Sequence, residues 1–115
     1  MSPVTDDLDA LRDRLLRFVS DRDWERFHTP KNLAMALAGE VGELLAELQW
    51  LTPEESVTVM AADPDAAARI RSEVADVTNY LVHLAAALDI DLVANAHHKL
   101  DEVELRYPPG AQPRA

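Results

Sequence analysis

Three times along this 115-residue chain a threonine or aspartate is followed at once by proline: Thr29-Pro30, Thr52-Pro53 and Asp63-Pro64. A Thr or Asp side chain accepts the free N–H groups of a first helical turn, and proline, which has no N–H, suits that turn. Apolar residues recur at helical spacing around these signals. A first segment runs from about Asp6 to Asp23 with Leu8, Leu11, Leu15, Phe18 and Val19 on one stripe. A second, from Pro30 to near Trp50, carries Leu33, Leu37, Val41, Leu44 and Leu48. Thr52-Pro53-Glu54-Glu55 opens a short helix or turn through Met60. The third long segment begins at Pro64, with Ile70, Val74, Val77, Leu81, Leu84 and Leu88 as its stripe. Asp89-Ile90-Asp91 interrupts the pattern, and a fourth helix is expected from about Asp91 to Arg106. No stretch alternates as a half-buried strand would, and aromatics are only 5% of the chain. The expected fold is all-α, an antiparallel bundle of four main helices. One domain is expected over 1–108, with a flexible tail over 109–115.

A chain of this length has a marginal core of its own. Helices two and three carry Val, Leu and Ala on more than one face, so a homo-oligomer is expected to bury the surplus. Eleven basic residues face 21 acidic ones, a net charge of −10. Such a surface repels nucleic acid polymers and anionic membranes, but a divalent cation can bridge its acids to a small phosphorylated ligand. No run reaches the roughly 18 apolar residues of a membrane span. The opening MSPVTDDLDALRDRL does not read as a signal peptide. There is no cysteine, which removes disulfides and thiolate metal sites and suits a cytoplasmic setting.

The stretch GEVGELLAELQW, Gly39 to Trp50, is unusual for a helix, because it places acids and glycines beside the apolar stripe. Glu40 and Glu43 are three apart and face the same way, and Glu40 is three beyond Leu37. Glu73 and Asp76 repeat that spacing on helix three, where Tyr80 and His83 continue the row. Paired acids at this spacing commonly sit on a solvated face. Two pairs beside apolar stripes on neighbouring helices would instead bring four carboxylates together, and their repulsion would call for a hard divalent cation. Neither acid pair is an E-x-x-H motif of the kind found in di-iron bundles, which favours Mg²⁺, with Mn²⁺ as a substitute. Gly39 and Gly42 would keep helix two slim where another helix or a substrate approaches closely.

The segments RDWERFHTPKNLAMALAGEVGELLAELQW, SEVADVTNYLVHLAAALDIDL and HKLDEVELRYP resemble the MazG-like nucleotide pyrophosphohydrolases, and within them the short dCTP pyrophosphatase branch. The likeness covers about Leu11 to Pro108. It implies hydrolysis of a nucleoside triphosphate between the α and β phosphates. It also implies Mg²⁺ ligands at Glu40, Glu43, Glu73 and Asp76, and a base framed by Trp24 and Trp50 with Tyr80 in the pocket. Lys99 matches a basic residue near the phosphates, and Arg106 and Tyr107 fall in the closing motif. The family is built as helical dimers or tetramers whose active sites draw on more than one subunit. His28 and Asn32 flank the start of helix two, where free N–H groups suit an anion, and both are taken as substrate-binding candidates. His97 and His98 read as surface residues.

Two positions depart from the family. Relatives often carry an acid where this chain has Ala46, and Glu47 is rotated about 100° from that place. Many relatives have Asn where this chain has Val103. The general base is expected from Glu43 or Glu47. Two other functions compete: a triphosphate hydrolase of broad or dUTP preference, and a non-catalytic helical module whose acids bind a metal or a basic partner.

Overall fold

The computed structural model describes residues 7–113. Five α-helices follow one another: α1 (Leu8–Asp21), α2 (Pro30–Leu48), α3 (Pro53–Ala62), α4 (Pro64–Ala87) and α5 (Leu92–Arg106), with a 3-10 turn at Glu25–Phe27 between α1 and α2. Among the described residues there is no strand. The segment read as a short helix or turn is a full helix, α3, so the described chain has five helices rather than four. The expected helix start at Asp6, the opening residues 1–5 and the last two residues of the tail lie outside the described residues.

The capping residues act as their chemistry requires. Thr29 Oγ1 accepts the Asn32 N–H at 3.2 Å and Asp63 Oδ1 accepts that of Ala66 at 3.1 Å. Thr52 and Glu55 form a reciprocal capping box at 3.1 and 2.8 Å. Asp91 Oδ1 accepts from the Ala94 N–H at 3.1 Å. The α1 and α4 helices both end in a residue with positive φ, Asp23 (58°) and Asp89 (54°). At the first end, Asp23 N–H donates to Ser20 O and Trp24 N–H to Val19 O; at the second, Asp89 N–H donates to Ala86 O and Ile90 N–H to Ala85 O. These are Schellman closures, which turn the chain back on the last helical turn. The first of them lays Trp24 beside Val19.

The α2–α4 pair is the spine of the fold and α1 and α3 pack on α4, whereas α5 touches the others only marginally. Glu47 meets Arg69, Glu40 lies beside Glu73 and Asp76, and His28, just before α2, meets His83. Rising numbers on one helix thus pair with falling numbers on the other, so α2 and α4 run antiparallel. A core cluster of Val59, Ala66 and Ile70, with Leu44, Leu48 and Leu51 packed against it, fixes α3 in the bend between them. Leu33 of α2, Val82 and Ala85 of α4 and Val19 of α1 are also buried.

Burial on this scale leaves much apolar surface uncovered. Val74 and Leu81 on α4 and Leu88 at its C-cap, at seven-residue intervals, are each more than 40% exposed, as are Val41 and Leu45 on α2. The radius of gyration is 17.2 Å, against about 13 Å for a compact domain of this length. No single helix among the described residues is long and apolar enough to cross a membrane.

Candidate active site

The antiparallel α2–α4 pairing brings acids from both helices to one place. Ligand oxygens of Glu40, Glu73 and Asp76 lie within 4.8 Å of one another, and all three residues are half-buried. Glu43, one turn along α2 from Glu40, is exposed but close enough to act on Glu73 electrostatically. One oxygen each of Glu40 and Glu73 is buried without a hydrogen-bond partner. A proton shared with Glu40, then burial, then repulsion from Glu43 and Glu40 push the Glu73 carboxyl up from 4.5 to about 7. Buried polar atoms rarely go unpaired, and crowded carboxylates resist ionisation together. An all-oxygen set with orphaned lone pairs and a suppressed charge fits a hard divalent cation, which would satisfy both defects at once.

Glu47 takes no part in this cluster. Its two oxygens accept from Arg69 Nε at 2.9 and 3.1 Å, so it links α2 to α4 one turn below the acids. The 100° rotation from the family position is what aims it at Arg69. Ala46 is exposed and Val103 half-buried, and neither offers a polar contact.

Beside Asp76 opens a cavity of about 420 Å³ between α1, the Schellman turn and α4, lined among others by Phe18, Trp24, His28, Asn79, Tyr80 and His83. Val19 and His83 are its buried members and form the floor; Phe18 and Trp24, half exposed, form the rim. The two rim rings meet edge to face at 5.7 Å. The expected site residues Trp24, His28, Tyr80 and Asp76 therefore share one cavity. Asn32 stands apart: its Nδ2 donates to the Phe27 carbonyl at 3.1 Å, holding the 3-10 turn against the start of α2.

Trp50 is not gathered with them. It is 86% exposed, beyond the C-terminal end of α2, whereas His28 and the cavity lie at the N-terminal end. Within one chain the two tryptophans do not frame a common space. Lys99 on α5 pairs with Glu102 at 3.0 Å, and Arg106 and Tyr107 close the same outlying helix. Gly39 and Gly42 have nothing within 4 Å of where a Cβ would stand. The close approach expected there is not made by this chain's own helices.

Spacing puts His83 on the acid row without pointing to a role. Its ring is 8% exposed and lies against His28. Seven residues from Asp76, it sits on the same face of α4, and that periodicity was the one signal available.

No family model matches the chain. It is 42% identical over 101 residues to dCTP pyrophosphatase 1 of Bos taurus and to that of Homo sapiens, covering 88% of this chain and 59% of each relative. The chain thus spans about three fifths of the length of the curated relatives it matches. The crystal structure of a pyrophosphatase from Archaeoglobus fulgidus superposes with a TM-score of 0.81 at 31% identity, covering 94% of this chain and 98% of that one. On this sequence identity and superposition the chain belongs to the MazG-like all-α nucleoside triphosphate pyrophosphatase family.

Proposed function

We propose that the protein is a Mg²⁺-dependent nucleoside triphosphate pyrophosphohydrolase that cuts between the α and β phosphates and acts on dCTP or a related deoxynucleotide. The observation that carries this reading is the triad Glu40, Glu73 and Asp76, with two orphaned buried oxygens, opening onto an aromatic cavity. The relatives named dCTP pyrophosphatase 1 support the substrate class. When bound, Mg²⁺ supplies neutralisation of phosphate charge and Lewis acidity at phosphorus. Glu40, Glu73 and Asp76 would hold the ion, with Glu43 completing the set or keeping an oxygen free. Glu43 is then the candidate to take the proton of the attacking water, because Glu47 is committed to Arg69. The Trp24 and Tyr80 rings offer π-faces to the base.

The working unit is a homodimer or homotetramer built on residues 1–108. The accessible surface is 9052 Å², whereas a folded monomer of 12.8 kDa exposes about 6300 Å². The difference exceeds one partner's share of a standard interface. Trp50, Lys99, Arg106 and Tyr107 lie away from the cavity of their own chain, so a second copy would have to bring them to it.

A panel of deoxynucleoside and ribonucleoside triphosphates with Mg²⁺, read by product identification, tests this function. Pyrophosphate and a monophosphate are expected, and Glu40→Gln or Asp76→Asn abolishes both. Orthophosphate as the first product contradicts the cleavage site. A second reading, a metal-binding module without turnover, is favoured by Ala46 and Val103, which leave two family contacts unmade. No product with any nucleotide, together with a rise in Tm on adding Mg²⁺, would support it.

A further inference from the structure

The aromatic cavity is lined by a pair of histidines that the proposed metal chemistry does not use. The His83 ring on α4 stands edge to face with His28, centroids 4.9 Å apart and planes at 83°. His28 Nδ1 is buried without a hydrogen-bond partner. Two imidazolium cations at this distance would repel each other in a site of low polarity. Burial first, and His28 second, hold His83 below its ordinary value. A neutral imidazole carries one N–H donor and one acceptor nitrogen. The other titratable groups lining the cavity are Arg14 on α1 and Asp76 and Tyr80 on α4.

The placement along α4 gives the pair a purpose. Tyr80 and His83 follow Asp76 by four and seven residues, about 6 and 10 Å along the helix axis and on nearly the same face. A nucleotide whose phosphates lie at Asp76 and whose ring packs by Tyr80 carries the edge of its base to His83. A cytosine-type edge offers an exocyclic amino donor where a uracil- or thymine-type edge has a carbonyl acceptor. We propose that His83 and His28 form the base-reading end of this cavity, where an imidazole nitrogen accepts from the exocyclic amino group of an amino-substituted base. This rests on the cavity being the nucleotide site. A site built to make such a bond rejects the analogue that cannot make it, because its own acceptor is left unpaired.

The test compares dCTP with dTTP and dUTP in the full-length wild type and in His83→Leu, which keeps the bulk and removes the nitrogens. The expected result is a fall of about tenfold or more in the dCTP preference, carried by KM with kcat little changed, and partial rescue in His83→Asn. An unchanged preference in a folded His83→Leu overturns the inference and leaves the proposed hydrolase intact. Imidazole resonances of wild-type protein titrated with dCMP and with dTMP provide a readout free of turnover and of any variant's folding. Larger shifts of both histidines with dCMP support the inference even if no nucleotide is hydrolysed, while equal or absent shifts refute it.

Discussion

The raised Glu73 carboxyl predicts that metal binding depends steeply on pH. In the metal-free protein Glu73 titrates near 7, against 4.5 for the same group unperturbed. Between those values the folded chain holds a proton that the unfolded chain releases, so stability of the metal-free protein falls as pH rises through that window. A cation needs the ionised carboxylate, so each pH unit below about 7 should weaken Mg²⁺ about tenfold. At pH 5.5, 1.5 units lower, affinity should be about 30-fold weaker than at pH 8.5, with close to one proton released per ion bound. Isothermal titration with Mg²⁺ at pH 5.5, 7 and 8.5, in two buffers of different ionisation enthalpy, measures both quantities. The rise in Tm that Mg²⁺ produces should be large at pH 8.5 and small at pH 5.5. Glu73→Gln should bind weakly at every pH and lose the slope. Equal affinity at pH 5.5 and 8.5 without proton release would refute the account of the cluster.

Other consequences follow from particular contacts. Glu47→Gln should cost under about 1 kcal/mol, since its Arg69 partner is half exposed, and should leave metal affinity unchanged; chemical denaturation and Mg²⁺ titration together check this. Thr52→Ala breaks the capping box that opens α3 and should cost about 1 kcal/mol by denaturation. Leu81→Glu, in the middle of the exposed α4 stripe, should shift sedimentation toward the monomer and lower nucleotide turnover with it.

The helices were legible because capping and periodicity are local. Thr29-Pro30, Thr52-Pro53 and Asp63-Pro64 all begin helices where expected. The ten residues after Thr52 have no clear apolar stripe, since Val59 is the sole buried one, and periodicity alone does not distinguish helix from turn there. The meeting of Glu40 with Glu73 and Asp76 was foreseeable from matched spacing on two long helices, since antiparallel neighbours bring like rows together. Glu47 was not assignable, because its role depends on Arg69, 22 residues away across the α2–α4 interface. The His28–His83 contact was hidden for the same reason: the Asn32–Phe27 bond and the turn before α2 set where His28 points. Trp50 shows a different limit. Family resemblance pairs it with Trp24, but one chain holds the two apart, and only the proposed second copy would bring them together.

The central claim is that this acid cluster holds a metal for hydrolysis at the α phosphorus. Hydrolysis of dCTP in ¹⁸O-labelled water, with mass analysis of both products, tests it most directly. Mg²⁺-dependent release of dCMP and pyrophosphate is expected, with the label in dCMP and no release in Glu40→Gln. Label in pyrophosphate, release of orthophosphate, or turnover undiminished in Glu40→Gln would contradict it.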